Sequence, residues 1–394
     1  KEPVIVAKII NSISISKATF NPEVTDRFQW IMGLLPIEQI KFLLPKMLSE
    51  NWCQLMSPFH RSGYEYQKIV EKVKASNDYE AINLLARVIL TLRSEEELAA
   101  VERFYFSDKL FYLSDVSDTG IYVAVLDPAN TRKEESLKIF LDQLAQIVRL
   151  SKDKDECIFE EYEPFYLPDV DLFNIELDTL RHSHSRSDIQ NFVATCKKLI
   201  DAHTVNAGDD VELRRIYDTY IEPLPDSYSL YRLKLYVTSR HPELFKKEAK
   251  DLLFRLFQIG DRYTDIVSGA EYHHALTSSF ETFDEATRRE YVKSIFGYFG
   301  ADLEDKDMVK WRKHRGVETM TCIKSHLTEN EIKQSESLLG AFPEDGKFSP
   351  HPRSSGITSG FVDHKSPVDL PEYTVPEIIE HLKTDWIPSV LKER

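Results

Sequence analysis

Residues 63–93 read GYEYQKIVEKVKASNDYEAINLLARVILTLR, and this stretch limits what the rest of the chain can fold into. In its first part Tyr66, Ile69, Val70 and Val73 fall at i, i+3, i+4 and i+7, the apolar stripe of an α-helix. After a short polar turn, Ile82, Leu85, Ala86 and Ile89 repeat the spacing, and Leu84, Val88 and Leu92 widen the apolar face. Only Asn83, Arg87 and Thr91 are left for water, so the second helix must be covered on two sides. An isolated helical hairpin cannot supply that cover, and further hairpins must stack against it. The spacing dictates an architecture and no chemistry.

The same texture continues in both directions. Helices are expected over residues 3–16, from Thr25 or Asp26 onward, and from Pro36, where proline is allowed in the first turn. Ser94/Glu97, Thr131/Glu134 and Thr328/Glu331 have the spacing of capping boxes, and Ser187/Gln190 is a further cap. Helices are also expected over residues 209–222, 227–239, 242–257, 272–280, 284–299 and 307–325. Residues 109–128 fit either a hairpin turned at Ser117-Asp118-Thr119-Gly120 or a loop feeding a helix near Thr119, and the helical surroundings favour the second. Only 13 glycines occur in 394 residues, as expected where helices dominate, and the 42% hydrophobic content suffices for several stacked cores.

The fold expected is therefore all-α, an α-solenoid of stacked antiparallel hairpins. It has an N-terminal helical half over residues 1–150 and an irregular acidic connection over 151–186. A second helical half over 187–340, an extended Pro/Gly/Ser-rich loop over 341–372 and a final helical segment over 373–394 follow. The opening at Lys1 and the closing Lys392-Glu393-Arg394 are expected to be cut from a longer chain.

A net charge of −15 gives no general attraction for nucleic acid or anionic membrane, and no apolar run reaches the roughly 18–20 residues that cross a bilayer. Cys53, Cys157, Cys196 and Cys322 are far apart with no CxxC pair, which points to buried free thiols in a reducing cytosol.

Candidate chemistry is sparse. Gly340, Gly346 and Lys347 have the wrong spacing for a phosphate loop and Phe348 where a hydroxyl is needed, so no nucleotide cofactor is expected. Asp153, Asp155, Glu156, Glu160, Glu161 and Glu163 lack the register of a calcium loop and are expected to be a solvated face or a docking strip for a basic partner. His182 and His184 have metal-ligand types, but a catalytic zinc needs three ligands brought together. A metal-dependent helical hydrolase at that loop is one alternative, with solvated histidines the plain expectation. His273 and His274 point in different directions on a helix. Lys310, Trp311, Arg312, Lys313, His314 and Arg315 form the strongest basic run, and a nucleic-acid-binding helical-repeat protein, the other alternative, would grip phosphates with these cations while Trp311 stacks. On a helix the same residues spread around the axis, and Trp311 is expected to pack inward with Met308 and the Arg315 stem. No catalytic, cofactor or metal residue can be singled out by spacing.

Several phrases, taken together and in order, carry a resemblance. They are EPFYLPDVD at 163–171, PLPDSYSLYRLKLY at 223–236, SGAEY at 268–272, GFVDHKSP at 360–367 and IIEHLKTDW at 378–386. As a set they resemble the long helical-repeat region of large prokaryotic STAND-type NTPases implicated in antiviral defence. The resemblance implies a non-catalytic sensor whose partners are a protein ligand, a viral protein among them, and the rest of its own parent chain. No nucleotide-handling residue of that family has a counterpart here. Partner contacts are expected in the irregular segments, at the acidic strip, at His182, His184 and Arg186, and in the loop 349–364 with Arg353 and His364.

Overall fold

Proline and short polar residues divide the chain into helices largely where their chemistry requires it. The computed structural model describes residues 2–15, 22–55, 63–99, 110–150, 172–175, 188–204, 209–225, 228–258, 269–301 and 306–343. The chain divides into two units, Lys1–Arg353 and Ser354–Arg394, and all described residues belong to the first. Among them no strand forms, and a single antiparallel bridge pairs Leu92 with Phe111. The described residues are all-α.

Helices α1 (Glu2–Ser12), α2 (Pro22–Leu34) and α3 (Ile37–Ser49) come first. Pro36 caps α3 in extended backbone, as its fixed φ favours. Helix α2 starts at Pro22, ahead of the Thr25 or Asp26 expected from sequence. Proline again serves the first turn, Glu23 meets the positive helix end, and Thr25 is buried inside the helix.

The short α4 (Trp52–Leu55) leads to α5 (Tyr64–Ala75) and α6 (Tyr79–Ile89), the pair that residues 63–93 predict. Gly63 donates its N–H to Ser114 O at 2.9 Å, and a Cβ there would lie 2.2 Å from Asp115 O, so only glycine permits this approach. Asn77 takes up left-handed backbone in the turn, and Asp78 then caps α6 by accepting from the Ala81 N–H at 3.0 Å. Lys72 of α5 donates to Gly33 O and Leu35 O at 2.7 and 2.9 Å, placing a cation on the C-terminal end of α2. Tyr66, Ile69, Val70, Val73, Ile82, Leu85 and Ile89 are all buried, and α6 has the two-sided cover it needs.

One residue of α6 departs from expectation. Asn83, expected to face water, is 5% exposed. Its Oδ1 accepts from Asn130 Nδ2 at 3.3 Å and from Ser136 Oγ at 2.9 Å, because the turn into the next helices lands on that face. Asn83→Ala would remove an acceptor shared by two buried donors that keep Val125 O and the Asn130 oxygens as alternatives, and we expect it to lower stability by about 1 kcal/mol in urea unfolding. A change within experimental error would mean that water replaces the amide.

The Ser94/Glu97 box is formed, with the Ser94 N–H on Glu97 Oε2 at 3.0 Å and the Glu97 N–H on Ser94 Oγ at 3.3 Å, and it starts α7 (Glu95–Ala99). Beyond it, Ser117-Asp118-Thr119-Gly120 forms no hairpin turn. It is a 3-10 turn closed by Gly120 at φ 77°, which feeds α8 (Ile121–Val125). The capping box expected at Thr131/Glu134 is absent. Thr131 ends α9 (Pro128–Thr131) and donates to Pro128 O, while Glu134 opens α10 (Glu134–Leu150) and accepts from Arg215 and from Tyr220 OH. A cation arriving from a distant helix outcompetes the local cap.

Next come α11 (Asp188–Thr204), α12 (Asp210–Ile216) with a π turn at Tyr217–Ile221, and α13 (Tyr228–Arg240). Then follow α14 (Lys246–Arg255), α15 (Ala270–Phe280), α16 (Glu285–Phe299), α17 (Lys306–Cys322) and α18 (Glu329–Leu338). Pro242 does not open a helix as expected. His241 and Pro242 form the exit turn of α13, closed by the Phe245 N–H on His241 O, and α14 begins only at Lys246. The Thr328/Glu331 capping box is complete at the start of α18.

The buried side chains form two clusters whose boundary runs along α13. Leu230, Leu233, Tyr236 and Val237 belong to the first, with residues from Ala7 to Phe245, and Tyr231 and Leu235 belong to the second, which reaches Leu339. No helix among the described residues is long and apolar enough to cross a membrane.

Candidate functional site

The polar residues of α13 show what holds residues 172–175 in place. A helix walled by two apolar clusters has nowhere to point Arg232 and Lys234 except inward. Lys234 Nζ donates to Leu224 O at 2.7 Å. Arg232, 1% exposed at its side chain, bonds Glu271 of α15, 0% exposed, through Nε at 3.1 Å and Nη2 at 2.9 Å. Burial pushes the Glu271 carboxyl up, but the Arg232 charge and its hydrogen bonds outweigh this and hold it below the ordinary carboxylate range. Glu271 also accepts the Leu172 N–H at 2.6 Å, and Phe173 lies against the rings of Tyr236 and His274 at 4.8 and 4.0 Å. Within the acidic connection, Leu172 and Ile175 are thus buried anchor points.

A groove of about 580 Å³ opens between the end of α6 and α10. Its apolar lining comes from Leu48, Leu92, Ile139 and Leu150, and its polar lining from Arg87, Thr91, Arg93, Asp142, Gln143, Gln146 and Arg149. On α10, Ile139, Gln143, Gln146 and Leu150 recur at i, i+4, i+7 and i+11, a single face. The arginines differ in how far they are engaged. Arg87 pairs with Glu135, and Arg93 Nε donates to Phe111 O at 3.0 Å with its guanidinium over the Tyr112 ring. Arg149 is exposed and has no ion pair or hydrogen bond with a described residue. Gln143 fixes the groove wall by donating to Leu90 O.

Leu92 adds an unusual feature for a helical protein. The Arg93 N–H bonds Leu110 O at 3.0 Å and the Tyr112 N–H bonds Thr91 O at 3.1 Å, which makes Leu92 and Phe111 a non-hydrogen-bonded antiparallel pair. In that pairing the N–H and C=O of Leu92 turn away from Phe111. They bond no described residue, and Leu92 lines the groove.

The sequence-predicted basic run is not gathered into one face. Arg312 is buried on α17, its guanidinium 4.9 Å from the Tyr298 ring centre and its Nη1 donating to Tyr298 O at 3.3 Å. Arg315 bonds Glu318 at 2.7 Å, and its guanidinium lies 5.4 Å from the centre of the Trp311 ring, which is half-buried where inward packing was expected. Lys310 and His314 are exposed and Lys313 half-buried. Asp153, Asp155, Glu156, Glu160, Glu161, Glu163, His182, His184, Arg186, Arg353 and His364 lie outside the described residues.

Among the described residues no group of three or more His, Cys, Asp or Glu side chains could hold a metal ion. Burial raises the Cys196 thiol well above its usual range and pushes Cys322 up to about 12, so both stay protonated and poorly nucleophilic near neutrality. Compared with protein-family models, with curated proteins and with solved structures, the chain finds no match.

The groove arginines escaped the reading of the sequence. Arg87 was expected only to face water, and Arg93 and Arg149 carry no motif. The one local signal is the polar stripe Gln143, Gln146 and Arg149 on a helix whose other faces are apolar.

Proposed function

We propose that this chain is a non-catalytic helical scaffold that recognises a protein ligand. In this reading its hairpins stack as an α-solenoid, and the chain is the sensor portion of a larger STAND-type NTPase in antiviral defence. The observation that carries the reading is the groove between α6 and α10. It sets apolar Leu48, Leu92, Ile139 and Leu150 beside Arg and Gln side chains, held by α3, α6, α10 and the bridged segment 91–93. Arginine beside apolar anchors is the composition of surfaces that bind proteins tightly, and an apolar floor alone would leave orientation unfixed. The acidic strip and the His182, His184 and Arg186 loop are proposed as flanking contacts, on the sequence reading alone.

The test compares the wild-type chain with Arg93→Glu/Arg149→Glu as baits in extracts of virus-infected cells. The reading expects one protein retained by the wild type, lost by the variant, and binding the purified wild type with 1:1 stoichiometry. The variant must keep the wild-type thermal melting curve. Identical sets retained by both baits would remove the groove from the account. Phosphate release from ATP or GTP by the purified chain would overturn its non-catalytic part.

A further inference from the structure

The groove has a chemistry more specific than protein binding, and the inference rests on the reading just given. The protein carries a net charge of −15, yet the groove lining sets Arg87, Arg93 and Arg149 against the single carboxylate of Asp142. Glu135 neutralises Arg87, which leaves Arg149 as the exposed guanidinium with no described counter-ion. A guanidinium presents a fork of N–H donors that matches a carboxylate in the plane, and the match strengthens where apolar walls exclude water. Gln143 is held by its bond to Leu90 O, and Gln146 and Arg149 are the exposed donors that α10 offers to an incoming group.

The dimensions and the Leu92 backbone define the shape of that group. From Ile139 to Leu150 a helix rises about 16 Å, the length of about five residues of extended chain. In such a chain alternate side chains point to opposite faces. One set would then meet Leu48, Leu92, Ile139 and Leu150, and the other would face the arginines. The N–H and C=O of Leu92, turned from Phe111, offer the start of a backbone ladder to an extended ligand.

We propose that the groove binds an extended segment of a partner protein, about five residues long, in which acidic and apolar side chains alternate. Its carboxylates engage Arg149, its apolar side chains rest on Leu48, Leu92, Ile139 and Leu150, and its backbone pairs with Leu92.

The probe is the fluorescein-labelled peptide Glu-Leu-Glu-Leu-Glu, titrated by anisotropy against the full chain at low and high salt. The Gln-Leu-Gln-Leu-Gln peptide is the control. The proposal expects the acidic peptide to bind at least about tenfold more tightly than the control, with an advantage that shrinks at high salt. Arg149→Glu should abolish the advantage, and Arg149→Lys should keep part of it, since the charge remains and the fork is lost. Arg149 is exposed, so neither variant is expected to change the melting curve, and this is checked.

Equal binding of the two peptides, no binding of either, or an advantage untouched by Arg149→Glu would each overturn the proposal. Displacement by inorganic phosphate or a short oligonucleotide at lower concentration than the peptide would assign the groove to a different anion. If the acidic preference fails while Arg93→Glu/Arg149→Glu still loses the captured protein, protein recognition at the groove stands without it. If the captured set is also unchanged, both fall.

Discussion

Glu271→Ala should lower the stability of the folded chain by about 3–5 kcal/mol, the cost of breaking a buried ion pair by removing one partner. Arg232 has no route to water from the middle of α13, and the same substitution frees the Leu172 N–H from its 2.6 Å acceptor. Urea unfolding measures the loss. The double variant Arg232→Met/Glu271→Leu should recover most of it, because the pair's desolvation is removed together with its attraction. A single variant as stable as the wild type would show that water reaches Arg232.

The pair also sets a pH dependence. Glu271 titrates lower in the folded chain than in the unfolded one. As the solution is acidified the unfolded state therefore takes up this proton first. The contribution is complete above the ordinary carboxylate range and disappears as pH falls through the lowered folded value. In the Arg232→Met/Glu271→Leu background this component of acid sensitivity should be gone.

Leu85→Ala is expected to cost about 2–5 kcal/mol, the sum of lost transfer energy and the cavity left behind. Leu85 is fully buried where α6 packs between α3 and α8, which are fixed by their own contacts and can close the gap only in part. Its neighbour Leu84 is only half-buried, so Leu84→Ala should cost less than about 1 kcal/mol. The comparison is read as urea midpoints at constant slope. Equal losses at the two positions would contradict the packing of α6 described above.

Most of the helical pattern was legible because it depends on neighbours in sequence. The stripe at Tyr66, Ile69, Val70 and Val73 and the Thr328/Glu331 box need residues three or four apart, and both form as read. What was not legible depends on partners far along the chain. Asn83 meets Ser136 across 53 residues and Arg232 meets Glu271 across 39, so no local spacing marks either residue for burial. Glu134 illustrates the competition, since its carboxylate serves Arg215, 81 residues away, in preference to a helix end beside it. The groove is hidden for the same reason, because its lining comes from α3, α6, residues 91–93 and α10. The sequence pointed instead to irregular segments, where charge is concentrated and periodicity fails.

Helix α13 has a consequence for how the molecule comes apart. A wall shared by two apolar clusters makes each of them part of the other's solvent barrier. Stripping away α15 and α16 would wet Tyr231 and Leu235 and expose the ion pair. It would also remove the backing against which Leu230, Leu233 and Val237 are pressed. Opening is therefore cooperative across the wall: amide exchange in α13 should require disruption of both sides at once, and its protons should be among the slowest in the chain.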